Sequence, residues 1–329
     1  MRSTCSLYID AGYLLAAAAT RVTGTSLRSG IHTDFARLTG ALIAHAEARS
    51  GLPVLRVHWY DSAHKGVPDA QQERIGELPK VKLRLGRFGV DGQQKGVDLR
   101  IGLDLVAHAR NAASDVFFVV TGDDDLTEAV EEAQVQGVEV VLLALPTIDG
   151  KPHGVSRHLI RAADDLDQLD GDAIDAAVVK VEVPRPVPGP PPTRPAPVSA
   201  VQQETGAKVG PTPRDLAAVP RPAVAAVPVA GASLAYTGST GQGSRVLPGY
   251  DLEVDEPMID RVVDRVVVSL RHSVSREELT ELDRNRPSIP REIDRALLVD
   301  LSDELGLYDL NDATRYRLRS RFWERYDEG

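Results

Sequence analysis

The sequence predicts an α/β fold with a doubly wound parallel sheet. Three observations point there. Short aliphatic runs alternate with helical patterns over roughly residues 1–175, a β-α-β-α rhythm that calls for helices on both faces of a parallel sheet. The run "DVFFVVTG" is too apolar for a sheet with one wet face, so it belongs at the sheet centre. Beyond these elements, residues 181–250 hold 14 of the 22 prolines. Proline fixes φ and lacks a backbone donor, so that stretch cannot form helices or ladders.

The elements follow in order. "CSLYI" reads as a first strand. "LRSGIHTDFARLTGALIAHAEARSG" contains a helix capped by Thr33 or Asp34 and stopped near Gly51. "LPVLRVHWYD" and "VKLRLGRF" are the second and third strands. "GVDLRIGLDLVAHARNA" is an amphipathic helix with Leu99, Leu103, Val106 and Ala107 on its apolar face. The central strand leads into a helix, "TEAVEEAQVQG", then "VEVVLLALP" as the last strand. "SRHLIRAADDLDQL" closes the domain as a helix, with Asp164 and Asp165 as surface charges. The chain thus divides into a domain at 1–175, a disordered Pro/Ala-rich linker at 176–250, and a small, mainly helical module at 251–329.

Composition narrows the function. With 329 residues and a net charge of −10, the chain has size for more than one unit but no overall attraction to nucleic acid. Cys5 is the single cysteine, which excludes an intrachain disulfide and a cysteine-based zinc site. No apolar run approaches the ~20 residues of a membrane span, and "MRSTCSLYID" enters a strand pattern at once, so a cytoplasmic protein is expected. Only 7 of 38 basic residues are lysines, a bias of GC-rich bacterial genomes. Histidines lack the H-E-x-x-H spacing, and no phosphate-binding glycine loop or G-x-S-x-G elbow occurs.

The carboxylates carry the strongest signal. In a doubly wound sheet, ligands bind beyond the carboxyl ends of the strands, where strand order reverses. Asp10 ends the first strand, Asp123 and Asp125 follow the central one, and Asp98 opens the helix leading into it. Asp-rich loops also cap helices and solvate turns. Crowded carboxylates repel and raise one another's pKa unless a cation sits among them, and oxygen ligands suit Mg²⁺ or Mn²⁺. Asp124 would then point away or cap the next helix.

At these residues the chain resembles the NYN domain family, a branch of the PIN-like metal-dependent ribonucleases. "YIDAGYLL", "KGVDLRIGLDLV" and "VVTGDDDLTEAVEEAQVQGVEVVLL" are similar to its three motifs, over about residues 5–170. The resemblance implies that Asp10, Asp98, Asp123 and Asp125 bind the metal and catalyse, with Thr121 standing for the family serine. Asp104 matches a further acidic position. Six residues past Asp98, it lies about 240° round the helix, which makes it supporting or structural. The family asparagine of the first motif is Tyr13 here, which packs in the helix or stacks on a base.

Candidate substrate contacts lie among the cations. Lys80, Lys82 and Arg84 alternate along one strand face, either solvated or tracking phosphates, and Arg87 and Lys95 lie close by in sequence. Lys82, Arg87, Lys95 and Tyr13 are the expected RNA contacts. In the C-terminal module, Pro290 starts a helix bearing Ile293, Ala296, Leu297, Leu301 and Leu305, which Gly306 ends. Asn311 or Asp312 caps a last, Arg-rich helix. That helix reads as an ion-paired face of a protein-interaction module, with RNA binding as the alternative. The reading reached is a Mg²⁺- or Mn²⁺-dependent endoribonuclease. Its rivals are a non-catalytic RNA-binding or scaffold protein, which Tyr13 favours, and a phosphatase acting on a small metabolite.

Overall fold

The computed structural model describes residues 3–63, 66–88, 94–181, 254–306 and 310–328. The expected linker therefore lies outside the described residues beyond 181. Its opening residues are ordered into structure: α7 spans Gly171–Ala177 and β9 spans Val178–Lys180, so the boundary expected at 175 falls inside a helix.

The sheet starts with β1, Cys5–Asp10, whose six residues are all buried. It leads directly into α1, Ala11–Thr23, a helix the strand-and-helix pattern did not single out. Asp10 serves both elements: it ends the strand, and its side chain accepts from the Gly12 N–H as the helix N-cap. Gly24, at φ 80°, closes α1 in the left-handed conformation that suits glycine. A short strand β2, Ile31–Thr33, precedes α2, Phe35–Ser50, which Asp34 caps and Gly51 stops as expected. Then come β3, Val54–Ala63; α3, Ala70–Gly76; β4, Val81–Phe88; and β5, Gln94–Lys95. The second half runs through α4, Val97–Arg110; β6, Val116–Val120; α5, Thr127–Val135; β7, Glu139–Ala144; α6, Arg157–Ala162; and β8, Asp165–Gln168.

Seven of these strands form one sheet in the order β5-β4-β3-β1-β6-β7-β8. All neighbours are parallel except β5, which turns back antiparallel on β4. The chain builds outward from β1 through β3 and β4, then returns to place β6, β7 and β8 on the other side. Strand order thus reverses between β1 and β6, where the crevice of a doubly wound sheet opens. Helices cover both faces. Leu7, Ile9, Phe118, Val120, Val141 and Leu143 point to a core shared with α1 and α2. Tyr8, Phe117, Val119, Val140 and Leu142 point to the core under α4 and α5. Each such fully buried side chain contributes about 1.5–3 kcal/mol.

Two expectations need correction. "VEVVLLALP" is not the last strand, because "DLDQ" forms β8 beside it after the helix α6 has ended at Ala162. Asp164 and Asp165 accordingly leave the helix: Asp164 accepts from the Val140 N–H at 2.7 Å, and Asp165 pairs with Arg49 at 2.6 Å. In α4 the buried stripe is Val97, Ile101, Leu105 and Ala109, while Leu99 and Leu103 are 67% and 61% exposed. The expected apolar face of that helix looks outward.

Four helices end the chain: α8, Glu256–Ser273; α9, Arg276–Arg284; α10, Arg291–Leu305; and α11, Asp312–Glu328. Met1–Arg185 and Glu253–Gly329 form one compact unit. Leu27, from the loop after α1, is fully buried among Ile259, Val263, Leu297 and Leu301 of these helices. Asn311 accepts from the Thr314 N–H to cap α11, and Gly306 ends α10, as the sequence indicated. Four arginines of α11 pair within the helices: Arg317 with Glu256, Arg319 with Asp294, and Arg321 and Arg325 with Asp260.

Candidate metal and nucleic-acid site

β1 and β6 deliver Asp10 and the acidic loop to the same rim. Asp10 lies at the end of β1, 8% exposed, and its Oδ1 accepts from the Gly12 N–H at 2.7 Å. After β6, Thr121 is buried and its hydroxyl accepts from the Asp123 N–H at 3.2 Å. Asp123 Oδ1 in turn accepts from the Asp125 N–H at 3.0 Å, winding residues 124–126 into a 3-10 turn. Asp98 enters from the first turn of α4. Asp98 and Asp125 line a common groove of about 900 Å³ between α4 and α5, floored by Gly102, Leu103 and Leu126.

The middle aspartate does face away. Asp124 accepts a short hydrogen bond from the Ser156 hydroxyl and lies 3.4 Å from His158 Nδ1, and these contacts hold its pKa below the usual carboxylate range. It ties the acidic loop to the start of α6. Ser156 and His158 escaped sequence reasoning because only the fold brings them to this loop.

The electrostatics bind the other aspartates together. Burial pushes Asp10 up to about 6; the Arg295 and Arg28 guanidiniums pull it down and the Asp98 charge pushes it further up. Burial raises Asp98 too, reinforced by Asp123 and Asp125. Asp10 and Asp98 therefore feel neighbouring carboxylates through poorly screened space. Among the described residues, no group of three or more His, Cys, Asp or Glu side chains is arranged to hold a metal ion. The donor chemistry fits a hard divalent cation: the set is all oxygen, and the raised pKa of Asp10 and of Asp98 marks negative charge that a cation would relieve.

The remaining expected residues fall into place unevenly. Tyr13 is 9% exposed, and its hydroxyl donates to the His153 carbonyl at 2.7 Å, so it is built into the packing. Asp104 accepts from the Tyr60 hydroxyl at 3.0 Å and pairs with Arg84 at 3.3 Å, holding α4 to β3 and β4. Lys80 pairs with Glu47, so two of the three cations in that strip already have carboxylate partners. Lys82 is exposed but lies at the start of β4, the end away from the rim. Arg87 and Lys95 are cross-strand partners of the β4–β5 hairpin; their side chains lie outside what the structure describes. Arg28 and Arg295 were missed, since neither belongs to a local motif.

A profile of the NYN domain matches residues 6–170, half of the chain, and spans β1 through β8. The chain belongs to the NYN domain family. NYN domains are PIN-like nucleases, a family whose members generally use divalent metals and act on RNA. The chain is also similar to "Uncharacterized protein y4oD" of Sinorhizobium fredii (strain NBRC 101917 / NGR234), 36% identical over 100 residues. That alignment spans 30% of this chain and 47% of the relative, about half its length. No solved structure gives a significant match. No helix among the described residues of this NYN protein is long and apolar enough to cross a membrane.

Proposed function

We propose that this NYN protein is an endoribonuclease dependent on Mg²⁺ or Mn²⁺. What supports the reading is that Asp10 ends β1 and Asp123 follows β6 where strand order reverses, that the Asp98 charge acts on Asp10, and that the Asp123 and Asp125 charges act on Asp98. Asp10, Asp98, Asp123 and Asp125 would hold the cation. When bound, it lowers the pKa of water and offsets charge on a phosphoryl oxygen. Asp123 caps the 3-10 turn, and its own N–H donates to the Thr121 hydroxyl, contacts that would steady it for this role. Asp124 stays with Ser156, which leaves the two flanking carboxylates to the rim. Arg87 and Lys95, on the β4–β5 hairpin that leads into α4, are proposed RNA contacts, with Lys82 farther off at the other end of β4.

A second reading is a non-catalytic RNA-binding protein that retains the fold. Tyr13 favours it. The family places an amide there, and this chain has a buried phenol whose hydroxyl is committed to the His153 carbonyl.

Cleavage of a labelled single-stranded RNA by the full-length protein, with Mn²⁺, Mg²⁺ or EDTA, separates the two. The expected result is metal-dependent cleavage, lost by at least about a hundredfold in Asp98→Asn and in Asp123→Asn with circular dichroism unchanged. Wild-type turnover in either variant would remove that residue from the mechanism. RNA bound but uncut with every metal would favour the second reading.

A further inference from the structure

The helix α10 is held to the NYN domain by polar contacts along one face, to the loop after α1 and to His153. Glu292 accepts from the Ser29 N–H at 2.6 Å. Asp300 accepts from the Thr25 hydroxyl at 2.5 Å and from the Ser26 N–H at 2.9 Å. Asp303 lies 3.6 Å from His153 Nε2. Arg295 lies three residues past Glu292, a step that shares a helix face, so it is aimed at the same surface.

It meets Arg28 there. The position that a Cβ on Gly12 would take lies 3.2 Å from Arg28 Nη2, 3.2 Å from Arg295 Nη2 and 2.9 Å from Asp10 Oδ1. Arg28 also donates to the Gly12 carbonyl at 3.1 Å. Two guanidiniums and a site carboxylate thus crowd the space left by one missing side chain. Arg28 is half-buried, whereas Arg295 is exposed, so the pair has a wet side facing out from the carboxylate rim. Like charges this close repel, and a planar fork is the cation best shaped for phosphate oxygens.

We propose that Arg28 and Arg295 together seat an RNA phosphate beside the carboxylates, so that the C-terminal helices complete the substrate-binding surface of the NYN domain. The seat rests on the nuclease reading for its role in turnover, but not for its contact with phosphate. Phosphoryl transfer needs cationic groups fixed near the developing charge, and this pair stands at that place. Gly12 is then required for room: any side chain would push between the guanidiniums.

The test uses the full-length protein and a labelled single-stranded RNA. Affinity is measured in Asp98→Asn, with and without Arg295→Ala, across a salt series; kcat and KM are measured for Arg295→Ala, Arg295→Gln and Arg295→Lys. The expected result is RNA binding weakened about tenfold by Arg295→Ala, with the slope of log K against log salt reduced by about 0.7. Arg295→Lys should recover part of the affinity, since it keeps the charge and loses the fork. Because Arg295 is exposed and Glu292 and Asp300 still anchor α10, the melting temperature should hold; Arg295→Gln serves if the alanine variant is unfolded.

Unchanged affinity and slope would overturn the proposal, as would faster cleavage, which would mark Arg295 as a plug. If the wild type cuts RNA and Arg295→Ala matches it throughout, this proposal fails and the nuclease reading stands. If nothing is cut but the slope still falls in Arg295→Ala, the nuclease reading fails and the phosphate seat stands. A wild type that neither binds nor cuts RNA overturns both.

Discussion

At Gly122 the chain leaves β6 for the acidic loop through a gap with no room for a side chain. A Cβ there would collide with the Gly154 carbonyl oxygen and lie 2.9 Å from the Tyr13 ring. The glycine is the point where loop, Tyr13 and the 153–154 turn close on each other, and it sets the direction in which Asp123 departs. Gly122→Ala should therefore destabilise the protein by about 3 kcal/mol, read as a lowered urea midpoint, because backbone has to move. A variant as stable as the wild type would mean that the turn is looser than its contacts indicate. The places of Asp10 at a strand end and of Asp98 at a helix start were legible in the sequence. Arg28 and Arg295 were not. Each looks like an ordinary surface arginine until folding brings them together over Gly12.

At the scale of elements, α4 shows what periodicity can and cannot say. The helix carries two stripes at a spacing of four. Val97, Ile101, Leu105 and Ala109 are buried, and Leu99 and Leu103 are not. Both stripes satisfy the apolar pattern of a helix, so the pattern identifies the helix and leaves open which side meets the sheet. Leu105→Ala should cost about 2–4 kcal/mol, whereas the double change Leu99→Ser and Leu103→Ser should stay within about 0.5 kcal/mol per site. Equilibrium urea unfolding of the two variants decides between the faces. The strand β8 was hidden for a different reason. "DLDQ" has neither alternation nor β-branched residues. It is an edge strand whose charges, paired with Arg49 and His45, keep other chains from adding to the sheet. The parallel core strands were readable because both faces are buried and the runs are continuously apolar.

At the scale of the molecule, the C-terminal helices and the sheet domain share a polar seam whose charge depends on pH. Burial pushes Asp303 up to about 6 and holds His153, opposite it, below the usual histidine range. A carboxyl whose folded pKa is raised stabilises the fold while it is protonated, so its contribution is lost as pH rises from the ordinary carboxylate value through about 6. A histidine held low acts the other way, losing its contribution as pH falls below its ordinary value. Asp303→Asn removes only the first effect. Its stability relative to the wild type should therefore increase between pH 4 and pH 7, measured by urea midpoints at both. An identical difference at the two pH values would show that Asp303 titrates normally. The sequence divided the chain at its prolines, and composition speaks for a break there. It does not reveal that Leu27 is buried among helices more than two hundred residues downstream.

That buried leucine orders events in time. A ribosome adds roughly 5–20 residues per second and releases the sheet before the tail. For about half a minute, on that scale, a nascent chain carries Leu27 uncovered, with Thr25 and Ser26 still waiting for Asp300. The loop after α1 is thus finished late, by helices made more than two hundred residues after it. A message broken before the codons of α8 would leave that loop bare, open to proteolysis at a position that the full fold buries.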